Sequence, residues 1–91
     1  MSRREPAPRR FTPERLGRLM EITSKVQCEC PNHVAKLVEA LASFEDYSRG
    51  CESRNEADRA VHAMLAHRSG LARATMEEAL EELLRAEGIA V

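Results

Sequence analysis

Apolar residues recur at intervals of three and four along most of the chain after residue 10, which is the spacing of one face of an α-helix. The composition agrees with this pattern, because 43% of the residues are hydrophobic but only two are Phe, one is Tyr and none is Trp. A core of Leu, Val, Ala and Met is typical of packed helices. The sequence therefore predicts an all-α fold, either a helical hairpin or a three-helix bundle with a long C-terminal helix.

The first predicted helix begins beside Thr12, which can cap it, with Pro13 at the first helical position. Phe11 is placed to pack on Leu16 as a hydrophobic staple. The helix is expected to fade over Ile22 to Ser24, where helix propensity is weak. Its inward stripe consists of Leu16, Leu19 and Met20.

The second predicted helix spans Pro31 to Arg49, with Gly50 expected in the left-handed conformation that often follows a helix. Turning the helix by about 100° per residue places Glu45 inside its apolar stripe. A buried carboxylate needs a partner, and Arg49, four residues later, is the expected one. The stripe itself consists of Val34, Leu37, Val38, Leu41 and either Phe44 or Ser48.

The third predicted helix is capped by Asn55, with Asp58 three residues later, and runs to Gly88. Ser69 and Gly70 could divide it into two helices. A single Gly costs only about 1 kcal/mol inside a helix, however, and a turn there would have almost no linker. One helix of about 50 Å is therefore favoured, with any bend at Gly70.

The second half of the third helix extends beyond the reach of the second helix as an antiparallel partner. The first helix could cover part of the remaining surface and a second copy of the chain the rest, so a homodimer or a complex with a partner protein is expected. Arg68 interrupts the same stripe, and its pairing with Glu45 would occur across such a dimer rather than within one chain. The uncovered positions are Met76, Ala79, Leu80, Leu83 and Leu84.

Residues 1–10 contain four arginines and two prolines and are expected to form a disordered basic tail before a single helical domain of residues 11–91. The tail could be a solubilising arm, or it could grip nucleic-acid phosphates with mostly non-specific affinity. The net charge of −1 argues against a nucleic-acid surface on the whole domain. No run approaches the roughly 20 apolar residues that span a bilayer, so no membrane contact is expected and the predicted location is the cytoplasm.

Cys28, Cys30 and His33 supply three candidate metal ligands within six residues. Zinc would need at least one more ligand, and Cys51 lies about 28 Å from Cys30 along a helix spanning residues 31–49. A redox pair is a second interpretation, because a helix N-terminus at Cys30 would stabilise its thiolate and Cys28 could resolve it. In the third interpretation the cysteines simply pack as small hydrophobic residues.

Catalysis finds little support, since the chain has no Gly-rich phosphate loop, no nucleophile elbow and no carboxylate pair isolated in an apolar setting. Glu45, Cys51 and His62 fall near one end of the predicted hairpin, where they suggest a second polar locus. The leading hypothesis is thus a non-enzymatic interaction domain. The alternative is a small metal or redox sensor using Cys28, Cys30 and His33.

Several short motifs resemble a helical module in the C-terminal part of some bacterial MerR-type regulators, including regulators linked to cobalamin-binding domains. The likeness extends over roughly residues 11–88. It implies a regulatory or oligomerising accessory domain. The DNA-binding unit and the cobalamin-binding domain of those regulators have no counterpart in this sequence, so neither activity is carried over. The motifs are Cys28-Glu29-Cys30-Pro31-Asn32-His33, Phe44-Glu45-Asp46-Tyr47-Ser48, Cys51-Glu52, Arg54-Asn55, Asp58 and His62.

Overall fold

The computed structural model describes residues 7–21 and 29–89. These residues form three α-helices, and no strand occurs within the two described ranges. The all-α prediction is therefore confirmed, and so is the long C-terminal helix. The helices are α1 (Pro13–Glu21), α2 (Cys30–Gly50) and α3 (Glu56–Glu87).

Helix α1 begins as its sequence predicts. The Thr12 hydroxyl accepts a hydrogen bond from the Arg15 amide (3.1 Å), which satisfies one of the free N–H groups of the first turn. Phe11 and Leu16 are both buried in the same hydrophobic cluster, and the Arg15 guanidinium lies 4.6 Å from the centre of the Phe11 ring. The predicted fading over residues 22–24 lies outside the described residues.

Helix α2 ends differently from the prediction. Gly50 is its last helical residue, and Cys51 follows in an extended conformation (φ −71°, ψ 131°). The expectation of a left-handed Gly50 is therefore wrong: the chain leaves α2 by straightening, which needs no positive φ. Within the described residues, Gly88 alone has that conformation (φ 65°), where it caps α3.

The inward face of α2 also differs from the predicted stripe. Leu37 and Phe44 are 51% and 42% exposed, whereas Asn32, Val38 and Glu45 are buried. The Asn32 amide donates to the carbonyl oxygens of Leu19 (3.0 Å) and Met20 (3.2 Å) near the end of α1. Val38 and Glu45 lie inside as predicted, and Ser48 rather than Phe44 completes the stripe, so only Leu37 is placed wrongly.

Helix α3 is one continuous helix of 32 residues that passes through Gly70. Asn55 caps it as predicted, because its side-chain oxygen accepts from the Asp58 amide (2.9 Å). Asp58 does not return the bond to Asn55; its carboxylate accepts from the backbone and side chain of Arg54. At the other end, the Gly88 and Ile89 amides donate to the Arg85 and Leu84 carbonyls respectively.

The hydrophobic core covers the second half of α3 within one chain. Leu80 is fully buried and Leu84 is 7% exposed, and both belong to one cluster with residues from α1 and α2. These two leucines need no second copy to cover them; Met76, Ala79 and Leu83, the other members of the predicted uncovered stripe, are half-buried. The other buried members of the cluster are Phe11, Leu16, Leu19, Ala35 and Val38. No helix in the described ranges is long and apolar enough to cross a membrane.

Candidate functional site

The predicted cysteine and histidine cluster lies at the start of α2. Cys30 is the first residue of the helix and is exposed, and His33 is exposed one turn later. Cys28 lies outside the described residues. Over residues 7–21 and 29–89, no three His, Cys, Asp or Glu side chains are grouped so that they could hold a metal ion. Cys51 follows the opposite end of α2, as the helix length predicts. The ligand set Cys28, Cys30 and His33 remains a prediction.

A buried ion-pair network joins α2 to α3. The Arg73 side chain is fully buried, and its Nε donates to Oε1 of Glu45, which is also fully buried (2.7 Å). Arg49 donates to Oε2 of Glu45 at 2.7 Å, and Arg73 Nη1 donates to Glu77 at 2.8 Å. The expected pair between Glu45 and Arg49 is confirmed. The partner proposed across a dimer, Arg68, is exposed and does not pair with Glu45 in the described part of the chain; Arg73 takes that place.

Residues 7–10 of the basic tail bind to this network through hydrogen bonds and ion pairs. The Arg73 guanidinium donates to the backbone carbonyl oxygens of Ala7 (2.7 Å) and Pro8 (3.5 Å). The Arg9 side chain pairs with Asp46 (2.7 Å), and the Arg10 amide donates to Glu77 (3.1 Å). The composition of the tail predicts no such contacts, because they depend on the buried Arg73, which needs these acceptors.

The charges of the network stabilise one another. Burial disfavours the ionised form of Glu45, but hydrogen bonds from Arg73 and Arg49 outweigh it, so the pKa of Glu45 is lowered. Burial likewise opposes the charge of Arg73, but its bonds to Glu45 outweigh it and raise the pKa of Arg73. Because both side chains are fully enclosed and bonded to each other, the network holds the helices together rather than presenting groups for catalysis.

A signal in the sequence could have identified Arg73. If the stripe of Leu84 and Leu80 is continued backwards at intervals of three and four, it passes through Glu77, Arg73 and Gly70. A stripe defined by apolar residues alone leaves out Glu77 and Arg73. A polar residue that continues an apolar stripe is a candidate for a buried pair.

The outward faces of α2 and α3 carry a second apolar pattern. On α2 the positions 33, 37, 40, 44 and 47 are separated by four, three, four and three residues, and all five are exposed. On α3 the positions 57, 61, 64, 68, 71 and 75 repeat the same spacing, and all six are exposed. We call these rows the α2 seam (His33, Leu37, Ala40, Phe44, Tyr47) and the α3 seam (Ala57, Val61, Met64, Arg68, Leu71, Thr75).

Each seam lies away from the core of its own chain. At about 100° per residue, the average direction of each seam lies roughly 150–170° from the average direction of the buried positions on the same helix. The seams contain six large apolar side chains that are 41–66% exposed. In the α2 seam the rings of Phe44 and Tyr47 stack with their centres 6.3 Å apart, so this part of the surface is an ordered aromatic pair.

Known proteins offer no match to this chain, whether they are compared as family models, as curated proteins or as solved structures. The fold and the site geometry therefore define its class, which is a small all-α helical bundle. Its most distinctive surface is the pair of outward seams.

Proposed function

We propose that this chain is a non-enzymatic helical oligomerisation domain that forms a homodimer through the α2 and α3 seams, and that it serves in bacterial signalling or transcription regulation in the cytoplasm. The exposed seams support the formation of a homodimer. The resemblance to the C-terminal module of some MerR-type regulators supports a role in bacterial signalling or transcription regulation. Arg9 is paired with carboxylates, so direct binding of nucleic acid by this part of the tail is not included.

The spacing of the seams supports pairing with another helix. Alternating intervals of three and four give a repeat of 3.5 residues, which keeps one row facing a partner helix over several turns. Single exposed apolar residues are ordinary on protein surfaces, so their number alone would not argue for an interface. Here the six large apolar side chains all fall on two rows with this repeat.

The exposed area suits a second copy of the chain. A large apolar side chain has a surface of about 200 Å². Because the six residues are roughly half exposed, they present on the order of 600 Å² of side-chain surface per chain. Two copies would together remove about 1,200 Å², which reaches the lower end of the size of stable interfaces. Because neither seam reaches this size alone, the proposed dimer uses both.

Arg68 gives the proposed interface its polar position. It is the only charged residue of the α3 seam, with Met64 and Leu71 on either side of it along the row. A single polar residue in an apolar seam lowers stability but restricts the alignments in which two helices can pair. The proposed dimer is therefore of moderate affinity and has one preferred register.

The test is sedimentation equilibrium of the full chain at about 100 μM with two substitutions at one position. Leu71→Asp introduces a charge into the seam, whereas Leu71→Met keeps an apolar side chain of similar volume. Because Leu71 is 52% exposed in the single chain, neither substitution should unfold the monomer, which circular dichroism checks.

We expect the wild type and Leu71→Met to sediment as dimers and Leu71→Asp as a monomer with unchanged helix content. Phe44→Asp, which places a charge in the α2 seam, should also sediment as a monomer. A monomeric wild type at this concentration would overturn the proposal. So would a dimer that survives both aspartate substitutions, because that dimer would use another surface.

A second candidate function rests on the position of Cys30. Its thiol is exposed at the first residue of α2, where the positive end of the helix dipole stabilises a thiolate. This position supports the alternative of a metal or redox sensor using Cys28, Cys30 and His33, with zinc as the metal. Elemental analysis of protein purified without chelator, combined with thiol titration of wild type and Cys30→Ser, tests it. Absence of zinc together with an unreactive Cys30 would remove this candidate.

A further inference from the structure

A cavity of about 260 Å³ lies where α2 ends and α3 begins. Its walls come from three pieces of chain: the last turn of α2, the connection at residues 51–55 and the first three turns of α3. The sequence predicts a polar cluster of Glu45, Cys51 and His62 at this end of the hairpin. The structure brings Cys51 and His62 to the wall of this cavity, and Arg49, the partner of Glu45, lies beside them.

The lining is unbalanced in charge. It includes two arginines, two histidines and two serine hydroxyls, but no carboxylate belongs to it. These groups can all donate hydrogen bonds to an oxygen ligand. The donors are Arg49, Arg59, His62, His67, Ser48 and Ser53.

Neighbouring contacts hold two of these side chains in place without using all of their donors. Arg49 is held by Glu45 through Nη2, and within the described part of the chain its other N–H groups make no hydrogen bond. The His62 ring is within hydrogen-bond distance of Ser53 through Nδ1 (3.2 Å), which leaves its Nε2 for another partner. Both side chains are therefore oriented before any ligand arrives, and this lowers the cost of binding.

Glu45 pairs with Arg49 from behind the cavity, whereas the carboxylates near Arg59 leave its charge available. Glu56 pairs with Arg59, but both side chains are largely exposed, at 87% and 61%, so the pair is weak and easily exchanged. Asp58 is held by Arg54 instead of a group in the cavity. A ligand with several oxygens could replace Glu56 as the partner of Arg59.

We propose that this cavity binds a small molecule through a phosphate group. Its volume is slightly below the range of about 300–1,000 Å³ that is typical of sites for drug-sized ligands, which favours a small ligand. A tetrahedral oxyanion can accept bonds from arginine, imidazole and hydroxyl groups at once, and arginine matches its oxygens in pairs. The proposal is independent of self-association, because none of the residues that line the cavity belongs to either seam.

The probe is inorganic phosphate, added to the full chain while the histidine ring signals are followed by NMR. Sodium chloride at equal ionic strength is the reference. Arg59→Gln removes one donor from the cavity, and Arg68→Gln is the matched control, because Arg68 is exposed on the same helix but does not line the cavity. The dimer-breaking variant Leu71→Asp is titrated in parallel.

Phosphate should shift the His62 and His67 signals to saturation, and chloride should not. Loss of one charged hydrogen bond should weaken binding about tenfold in Arg59→Gln, whereas Arg68→Gln and Leu71→Asp should bind like the wild type. Shifts that do not saturate, or that chloride reproduces, would overturn the proposal. Equal weakening in Arg59→Gln and Arg68→Gln would also overturn it, because that result would reflect general charge attraction instead of a site.

Discussion

The side chain of Glu45 decides how α2 and α3 meet. It is fully buried, and arginines from α2 and α3 donate to its two oxygens. Removing one partner of a buried ion pair leaves the other charge uncompensated, which is far more costly than breaking an exposed pair. The interior of this bundle therefore depends on a carboxylate as much as on its leucines.

The lowered pKa of Glu45 makes folding dependent on pH. Because the pKa in the folded state is below the unfolded value of about 4.3, the contribution of Glu45 is complete above that pH and is lost as pH falls through the folded pKa. Glu45→Gln should cost about 3 kcal/mol at pH 7. The difference between wild type and Glu45→Gln should shrink below about pH 4.

Urea unfolding followed by circular dichroism between pH 3 and 7 measures this difference. Asp58 also has a lowered pKa, because Arg54 donates hydrogen bonds to it, but Asp58 is present in both proteins and its effect cancels in the comparison. A difference that stays constant down to pH 3 would show that the charge of Glu45 does not stabilise the fold.

At the scale of the element, Gly70 explains why α3 can stay continuous beside Glu45. A Cβ atom at residue 70 would lie 2.8 Å from Oε2 of Glu45 and 3.3 Å from its Cδ. The glycine that suggested a helix break in the sequence is therefore required for the close approach of a carboxylate. Gly lowers the helix propensity at this position, but the buried ion pair leaves no room for a larger side chain.

Two glycine substitutions separate propensity from packing. Gly17→Ala in α1 meets no atom within 4 Å and should stabilise the protein by about 0.5–1 kcal/mol. Gly70→Ala should instead destabilise it by about 1–3 kcal/mol, because Glu45 is enclosed and cannot move away without losing its arginine partners. Thermal unfolding of both variants shows whether each substitution raises or lowers the stability of the protein. A stabilising Gly70→Ala would mean that the carboxylate relocates at little cost.

The helices themselves could be predicted from the sequence because their signals are local. Thr12, Asn55 and Gly88 act through bonds within a few residues, and these caps appear where the pattern placed them. The rotation of α2 could not be predicted in the same way. It depends on Asn32 and Glu45, whose partners lie on other helices.

At the scale of the whole molecule, residues 7–10 fasten the N-terminus across the junction of α2 and α3. Backbone carbonyls of this segment accept from the buried Arg73, whereas the arginine side chains form exposed pairs on the surface. Its contribution to stability should therefore come from the backbone more than from its positive charges.

Deletion and substitution of this segment distinguish the two contributions. The double variant Arg9→Gln, Arg10→Gln loses exposed pairs and the 3.4 Å contact between the half-exposed Arg9 and Glu45, and it should cost about 1 kcal/mol. Deletion of residues 1–10 also removes two acceptors of a buried guanidinium and should cost about 1–3 kcal/mol more. Urea unfolding at pH 7 measures both. Equal losses in the two proteins would assign the effect to the charges.

The candidate sites could be predicted only in part, because they combine distant segments. Cys51 and His62 were placed at the same end of the hairpin from helix lengths, but Arg59 and His67 join them only when the rotation of α3 is known. The α2 and α3 seams were hidden for the same reason. The inward stripe included Leu37 and left Phe44 as an alternative to Ser48, so the outward row to which Leu37 and Phe44 belong could not be recognised.

The contact between Gly70 and Glu45 also fixes how far along each other the two long helices sit. Sliding α3 by one turn, about 5.4 Å, would bring Ala66 or Ala74 opposite the carboxylate and carry Arg73 out of its reach. No neighbouring alignment offers both an open space and a cation. A hairpin with a single permitted offset holds its outer side chains at fixed positions along its axis, which the dimer proposed above would require.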